Sequence, residues 1–327
     1  MTTLAWVVGA RGLLGAAVSR AVNRSSSWGR FAAEPAPWSD DVAFAEHTRA
    51  TARELIRQAD AAGSTWSIIW AAGAAFTSSS QQQLDAELEQ FRSFLAIVAE
   101  EDAAASAADG TAGARRGTVF LASSGGGVYA GAGVPPYTEN TPVAPLAPYG
   151  AFKVEMERVL AEFSADSGIS VLAGRITNLY GPGQSITKMQ GLITHLALAR
   201  YGTKPAFIFV PLETTRDYIF VDDCAALILD CLDRLTLETE LAGTAQAVTK
   251  ILGSGEAVSI STLLGYYRGI TKAAPRVVHG TSAATKMQAI DLRMTSVVWP
   301  ELDRRTKTPV AAGFHATMLD VLRLLQR

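Results

Sequence analysis

Residues 4–18, LAWVVGARGLLGAAV, pass from a continuous apolar run, through glycines, into helix-forming residues. Gly9, Gly12 and Gly15 stand at three-residue spacing across that junction. The pattern predicts a buried strand that turns at once into a helix packed against it. Gly9 permits the tight turn, Gly12 lets backbone approach a pyrophosphate, and Gly15 lets the helix lie close to the sheet. The first helical residues, Leu13 and Leu14, offer free N–H groups at the positive end of the helix dipole. The competing reading is a plain strand-to-helix turn. The stretch also has the apolar bias of a leader peptide, but no Lys or Arg precedes it and Arg11 interrupts it, so it is read as part of the fold.

The rest of the first half repeats the alternation. Strands are predicted at 4–9, 29–34, 66–73, 118–124 and 170–176, with helices at 13–24, 51–63, 84–101 and 149–168. Continuous apolar strands between amphipathic helices imply an α/β fold, a doubly wound parallel sheet covered on both faces. The segment 102–117, DAAASAADGTAGARRG, lacks a hydrophobic anchor and is expected to be a flexible insertion. After residue 177 the rhythm changes. Helices are expected at 191–202, 222–235 and 315–327, with a strand at 206–211. The expected division is a nucleotide-binding part, 1–176 plus about 215–250, and a substrate part, 177–214 plus 251–327.

A net charge of −2 over 327 residues provides no footprint for nucleic acid or an anionic membrane. No run is long enough, free of charge and glycine, to cross a bilayer. The four His stand far apart without metal-ligand spacing, so no metal is expected. Cys224 and Cys231 lie in an apolar helical run, which fits buried free thiols and a reducing cytoplasm.

Two side chains bear on the adenosine end of a dinucleotide. Glu34, 19 residues after Gly15, stands where an acid would hold the ribose, or else is a loop acid before Pro35. Arg11, inside the glycine turn, suits a 2′-phosphate and tips the expectation slightly towards NADP, or else faces solvent. Further on, Tyr149 and Lys153 stand four apart in a predicted helix and so share a face. Alone, this is an ordinary surface pair.

The segments GARGLLG, LASSGGGVYA (121–130), Tyr149-x-x-x-Lys153, RITNLYGPGQ (175–184) and TRDYIFVDDCA (215–225) occur together and in order. With them the chain resembles the extended short-chain dehydrogenase/reductase family, more narrowly its NAD(P)-dependent sugar-nucleotide epimerase/dehydratase group. The resemblance implies a Rossmann-type sheet with a smaller C-terminal α/β substrate domain. It implies Tyr149 as the proton-transferring group, with Lys153 beside it lowering its pKa and holding the nicotinamide ribose. A free phenol, with a pKa of about 10, is otherwise too weak a base at neutral pH. Ala71 and Ala72 would line the cofactor. A hydroxyl at the end of the fourth strand, Ser124 in preference to Ser123, would orient the substrate. Asn178 would hold substrate phosphate, or else form a turn. Arg216 would grip the nucleotide pyrophosphate, or else pair with Asp217 or Asp222. The helices at 84–101 and 149–168 would meet across a homodimer.

Departures from the group narrow the chemistry. Gly125, Gly126 and Gly127 follow Ser124 where dehydratases carry Asp-Glu, which argues against 4,6-dehydration. No Cys precedes residue 224, which argues against the Cys-His epimerase-reductases. Epimerisation through a keto-sugar and NADPH-dependent reduction of a carbonyl, including one on a non-nucleotide substrate, both survive. A non-catalytic NAD(P)-binding regulator is the reading from another class. Substrate specificity is expected in the segments around 75–82, 185–215 and 275–295.

Overall fold

The structure is a computed structural model and describes residues 2–73, 79–109, 117–187, 191–280 and 289–326. Its centre is a six-stranded parallel sheet. In chain order the strands are β1 (Thr3–Val8), β2 (Trp28–Arg30), β3 (Thr65–Trp70), β4 (Gly117–Ser124), β5 (Ser170–Ile176) and, much later, β9 (Ala247–Leu252). Their spatial order is β2-β1-β3-β4-β5-β9. The chain therefore builds outwards from β1 in one direction and then, with β3, in the other. A crevice opens at such a reversal, at the carboxyl ends of the strands.

The apolar strands resolve into two alternating faces, because successive side chains of a strand point to opposite sides. Trp6, Val8, Ile68, Trp70, Val119, Leu121, Val171 and Ala173 face one core. That core is closed by α2 (Asp41–Ala61), α3 (Gln81–Asp109) and α5 (Pro148–Ser167). Ala5, Ile69, Phe120 and Leu172 face the other, against α1 (Leu13–Arg24) and α7 (Val221–Ala242). Cys224 and Cys231 lie wholly buried on α7 as free thiols, and burial pushes both well above the ordinary thiol pKa.

Three predicted elements differ from the structure. β2 ends at Arg30 rather than 34, since after Phe31 the chain runs into Pro35 and Pro37, which cannot donate to a ladder. α2 begins ten residues before 51, where the Asp40 side chain caps it by accepting from the Ala43 N–H at 3.0 Å. α3 continues to Asp109, so the first half of the expected flexible insertion is helix. Alanine extends an existing helix better than any other residue. Glu101, buried near that end, accepts from Arg53 at 2.8 Å. Residues 110–116 lie outside the described residues.

Between β5 and β9, and after β9, the chain forms a second body around its own core. β8 (Thr215–Phe220) is the hub of a small sheet, pairing with β6 (Asn178–Tyr180), β10 (Ala257–Ser259) and β12 (Asp291–Leu292). β7 (Ala206–Ile208) pairs with β11 (Val277–His279). α6 (Leu192–Tyr201), α8 (Ile260–Thr271) and α9 (Val310–Leu325) bury Leu196, Leu263, Tyr267 and Phe314 against Tyr180 and Tyr218. The return to the large sheet is made by β9, while β8 stays in the small one. No described helix is long and apolar enough to cross a membrane.

Candidate active site

The β1–α1 turn is built by close backbone approach. Gly9 has φ +87°, and a Cβ there would lie 2.6 Å from the Ala72 nitrogen. A Cβ on Gly15 would lie 2.2 Å from the Gly9 carbonyl oxygen. Gly12 starts α1, and no side chain caps that end. The first N–H groups of α1, those of Leu13 and Leu14 among them, therefore open onto a turn drawn tight by Gly9 and Gly15. This is the arrangement a pyrophosphate needs.

From the turn a cavity of about 920 Å³ runs along the carboxyl ends of β1, β2 and β3, lined by Gly9, Arg11, Gly12, Ala71, Ala72 and Gly73 among others. Its rim carries Arg11, Arg30 and Glu34, all exposed. Because β2 stops early, the residue at its end is Arg30, and Glu34 follows four residues later in the loop. Sequence reasoning missed Arg30. Its signal was the Pro pair, which shortens the strand.

At the carboxyl end of β4, Ser124 meets the start of α5. The Ser124 hydroxyl accepts from the Gly127 N–H at 3.1 Å, which caps the short α4 (Gly125–Val128). The same hydroxyl lies near enough to Tyr149 to act on its phenol. A Cβ on Gly150 would lie 2.2 Å from the Gly127 carbonyl oxygen, so α4 and α5 meet backbone to backbone. One turn after Tyr149, Lys153 is buried. Its Nζ donates to the Ala122 carbonyl at 3.3 Å and sits 5.8 Å from the Tyr149 ring centroid.

Burial dominates the electrostatics of this pair. Burial pushes the Tyr149 phenol up to about 12; the Ser124 hydroxyl pulls it back, and the Glu87 carboxylate adds to the rise. Burial pushes Lys153 below its ordinary value, opposed by Glu87 and then Glu157.

The Ser123 hydroxyl donates to Glu157 at 2.5 Å, and Glu157 in turn pairs with Arg175 at 2.7 Å. Neighbouring strand residues face opposite ways, and Ser123 joins a buried Glu157–Arg175 pair under α5. Asn178 lies at the start of β6, in register with Tyr218 of β8. Arg216, in β8, is buried, and its Nη1 donates to the carbonyls of Thr215 (2.9 Å) and Ile290 (3.3 Å). The ion pairs weighed for it are not formed. Asp217 accepts from Thr177, Ser254 and Gly255, and Asp222 pairs with Arg20 at 2.6 Å. Burial pushes the Arg216 guanidinium below its usual range. One short segment joins the two regions. Ile290 meets Arg216, while a Cβ on Gly125 would lie 2.7 Å from the Met294 sulfur. Of the expected specificity segments, residues 75–78, 188–190 and 281–288 lie outside the described residues.

A parallel sheet with a glycine-cradled cavity at its switch point defines a dinucleotide-binding Rossmann-type fold. The comparisons agree. Residues 5–239 match the model of the NAD dependent epimerase/dehydratase family, and the chain belongs to that family. It is 32% identical over 115 residues to a putative UDP-glucose 4-epimerase of Methanocaldococcus jannaschii, covering 35% of this chain and 38% of that protein. It is 30% identical over 146 residues to a dTDP-4-dehydro-6-deoxyglucose reductase of Escherichia coli, covering 45% of this chain and 43% of that one. The chain thus matches less than half the length of these curated relatives. Among solved structures, the protein RMD of Pseudomonas aeruginosa, complexed with NADPH, superposes with a TM-score of 0.75 at 17% identity, over 99% of this chain and 100% of that one. UDP-glucuronic acid 4-epimerase of Bacillus cereus, in complex with UDP-glucuronic acid and NAD, superposes with a TM-score of 0.72 at 17% identity, over 99% and 100%.

Proposed function

We propose that this protein is an NAD(P)-dependent oxidoreductase or epimerase acting on a hydroxyl or carbonyl of a sugar nucleotide. The observation that carries the reading is the convergence of Ser124, Tyr149 and Lys153 at the carboxyl end of β4, the same edge of the sheet on which the glycine turn and its cavity lie. The dinucleotide, when bound, supplies the hydride acceptor or donor. Gly9, Gly12, Gly15 and the N–H groups of Leu13 and Leu14 hold its pyrophosphate, and Ala71 and Ala72 flank it. Tyr149 exchanges a proton with the substrate oxygen, which Ser124 orients. Lys153 supplies the local positive charge. A positioned proton-transfer group of this kind contributes about 10²–10⁴ in rate. Arg216, held by carbonyls alone among the described side-chain contacts, suits the substrate's pyrophosphate, with Asn178 beside it.

For the cofactor, the two rim arginines, Arg11 and Arg30, favour a 2′-phosphate and hence NADP. The same pair supports the second reading, an NADPH-dependent carbonyl reductase. Cytoplasmic residence fits the two buried thiols.

Thermal stabilisation by NAD(H) and NADP(H), each with and without a panel of nucleotide sugars, tests the proposal. Stabilisation by a dinucleotide and further by a nucleotide sugar is expected. Stabilisation by neither dinucleotide refutes it, and stabilisation by NADPH with no nucleotide sugar favours the reductase. Tyr149→Phe is expected to keep cofactor binding and lose turnover; a biological effect that survives the substitution points instead to a regulator.

A further inference from the structure

The start of α3 forms part of the cavity wall, and it presents a carboxylate. Glu87 is half-buried, lines the cavity and has a buried Oε1. That atom lies 2.9 Å from where a Cβ on Gly73 would be, so the glycine after Ala71 and Ala72 lets the carboxylate rest against the end of β3. From this position its charge reaches both Tyr149 and Lys153 on α5. The other carboxylate acting on Lys153 is Glu157, and it is engaged with Arg175. The Glu87 carboxylate thus lines the cavity on the side of the buried Lys153 ammonium, where, on the reading above, the nicotinamide sits.

We propose that Glu87 sets the redox preference of the bound cofactor, its negative charge favouring the oxidised, cationic nicotinamide over the reduced, neutral one. This rests on the dinucleotide reading of the site. The two cofactor states differ by one unit of charge at the nicotinamide and by nothing at the adenosine end. Lys153 disfavours a second cation beside it, and Glu87 offsets that penalty. A charge acting across a partly buried site at this range is worth about tenfold in an equilibrium constant.

The test is equilibrium binding of the oxidised and reduced dinucleotides, read by quenching of Trp6, Trp38 and Trp70, which line the same cavity. Glu87→Gln keeps the shape and removes the charge. The ratio of Kd for the oxidised form to Kd for the reduced form is expected to rise about tenfold. Affinity for ADP-ribose, which lacks the nicotinamide, is expected to stay the same. Glu87→Asp, which keeps the charge, should restore a ratio within about twofold of the wild type. An unchanged ratio in Glu87→Gln overturns the proposal, as does a loss of ADP-ribose affinity equal to that for the oxidised dinucleotide, which would show that Glu87 only shapes the cavity. If the wild-type protein binds no dinucleotide, the proposed function falls with it; an unchanged ratio in a protein that binds removes only this inference.

Discussion

Gly15→Ala tests the seating of α1 on the glycine turn. The added Cβ would lie 2.2 Å from the Gly9 oxygen, 2.7 Å from the Gly9 carbonyl carbon and 3.0 Å from the Ala10 Cα. All three obstacles are backbone, so no side chain can swing aside. A carbon approaches a carbonyl oxygen no closer than about 3.3 Å in ordinary contacts, so α1 must back away by about 1 Å. That movement disturbs the packing of Leu14, Ala17, Val18 and Val22 under the sheet. Overpacking of this kind costs about 1–3 kcal/mol, and the rigid obstacles place it at the upper end. A fall in Tm of roughly 4 °C follows. The displaced N–H groups also lose charge-assisted hydrogen bonds worth about 1.5–3 kcal/mol each, at least tenfold in dinucleotide affinity. The assay is thermal unfolding with and without cofactor, beside titration of cofactor binding. Gly265→Ala serves as the contrast: Gly265 lies exposed on α8 with open space around it, and the substitution is expected to stabilise the helix by about 1 kcal/mol. A Gly15→Ala protein with unchanged Tm and affinity would refute the close approach of α1 to the turn.

The raised Tyr149 phenol predicts that wild type and Tyr149→Phe show the same tyrosinate absorbance up to about pH 11 without ligand; an extra tyrosine titrating near pH 9 in the wild type contradicts the burial argument. The sign for stability follows. The fold prefers the protonated phenol, so this contribution is complete below the unfolded value of about 10 and is lost as pH rises through about 12, which a steeper alkaline fall in wild-type Tm than in Tyr149→Phe would report. Arg30→Ala is expected to weaken NADP(H) about tenfold and NAD(H) little, by loss of a charge-assisted hydrogen bond; equal weakening of both, measured by titration, would place the 2′-phosphate elsewhere. The homodimer through α3 and α5 would have to use a charged face, because no exposed large hydrophobic among the described residues lies on either helix, while Arg92–Glu155 and Arg158–Glu155 pair there at 2.6 Å. About 1 M salt should then dissociate it in sedimentation, and a salt-resistant dimer would place the interface on another surface.

The sequence by itself determined whatever is set by local period and backbone geometry. Alternating strands and helices, the three glycines between β1 and α1, and Tyr149 one helical turn before Lys153 are all fixed within a few residues of each other, so their spacing shows them. Gly9 and Gly15 prove to be required by contacts no more than a turn or a neighbouring strand away. Tertiary structure alone decided what depends on distant partners. The resemblance preferred Ser124 to its neighbour Ser123, and only the fold shows Glu157 on α5 holding the Ser123 hydroxyl. Arg216 was free to pair with Asp217 or Asp222 until Ser254 and Arg20, far along the chain, took those carboxylates. Arg30 replaced Glu34 at the end of β2 because pairing with β1 stops there. Glu87 falls on the apolar stripe of α3 that contains Leu84 and Phe91, where a charge is out of place. Its meaning emerged only when Gly73, Tyr149 and Lys153, from three other parts of the chain, were brought around it.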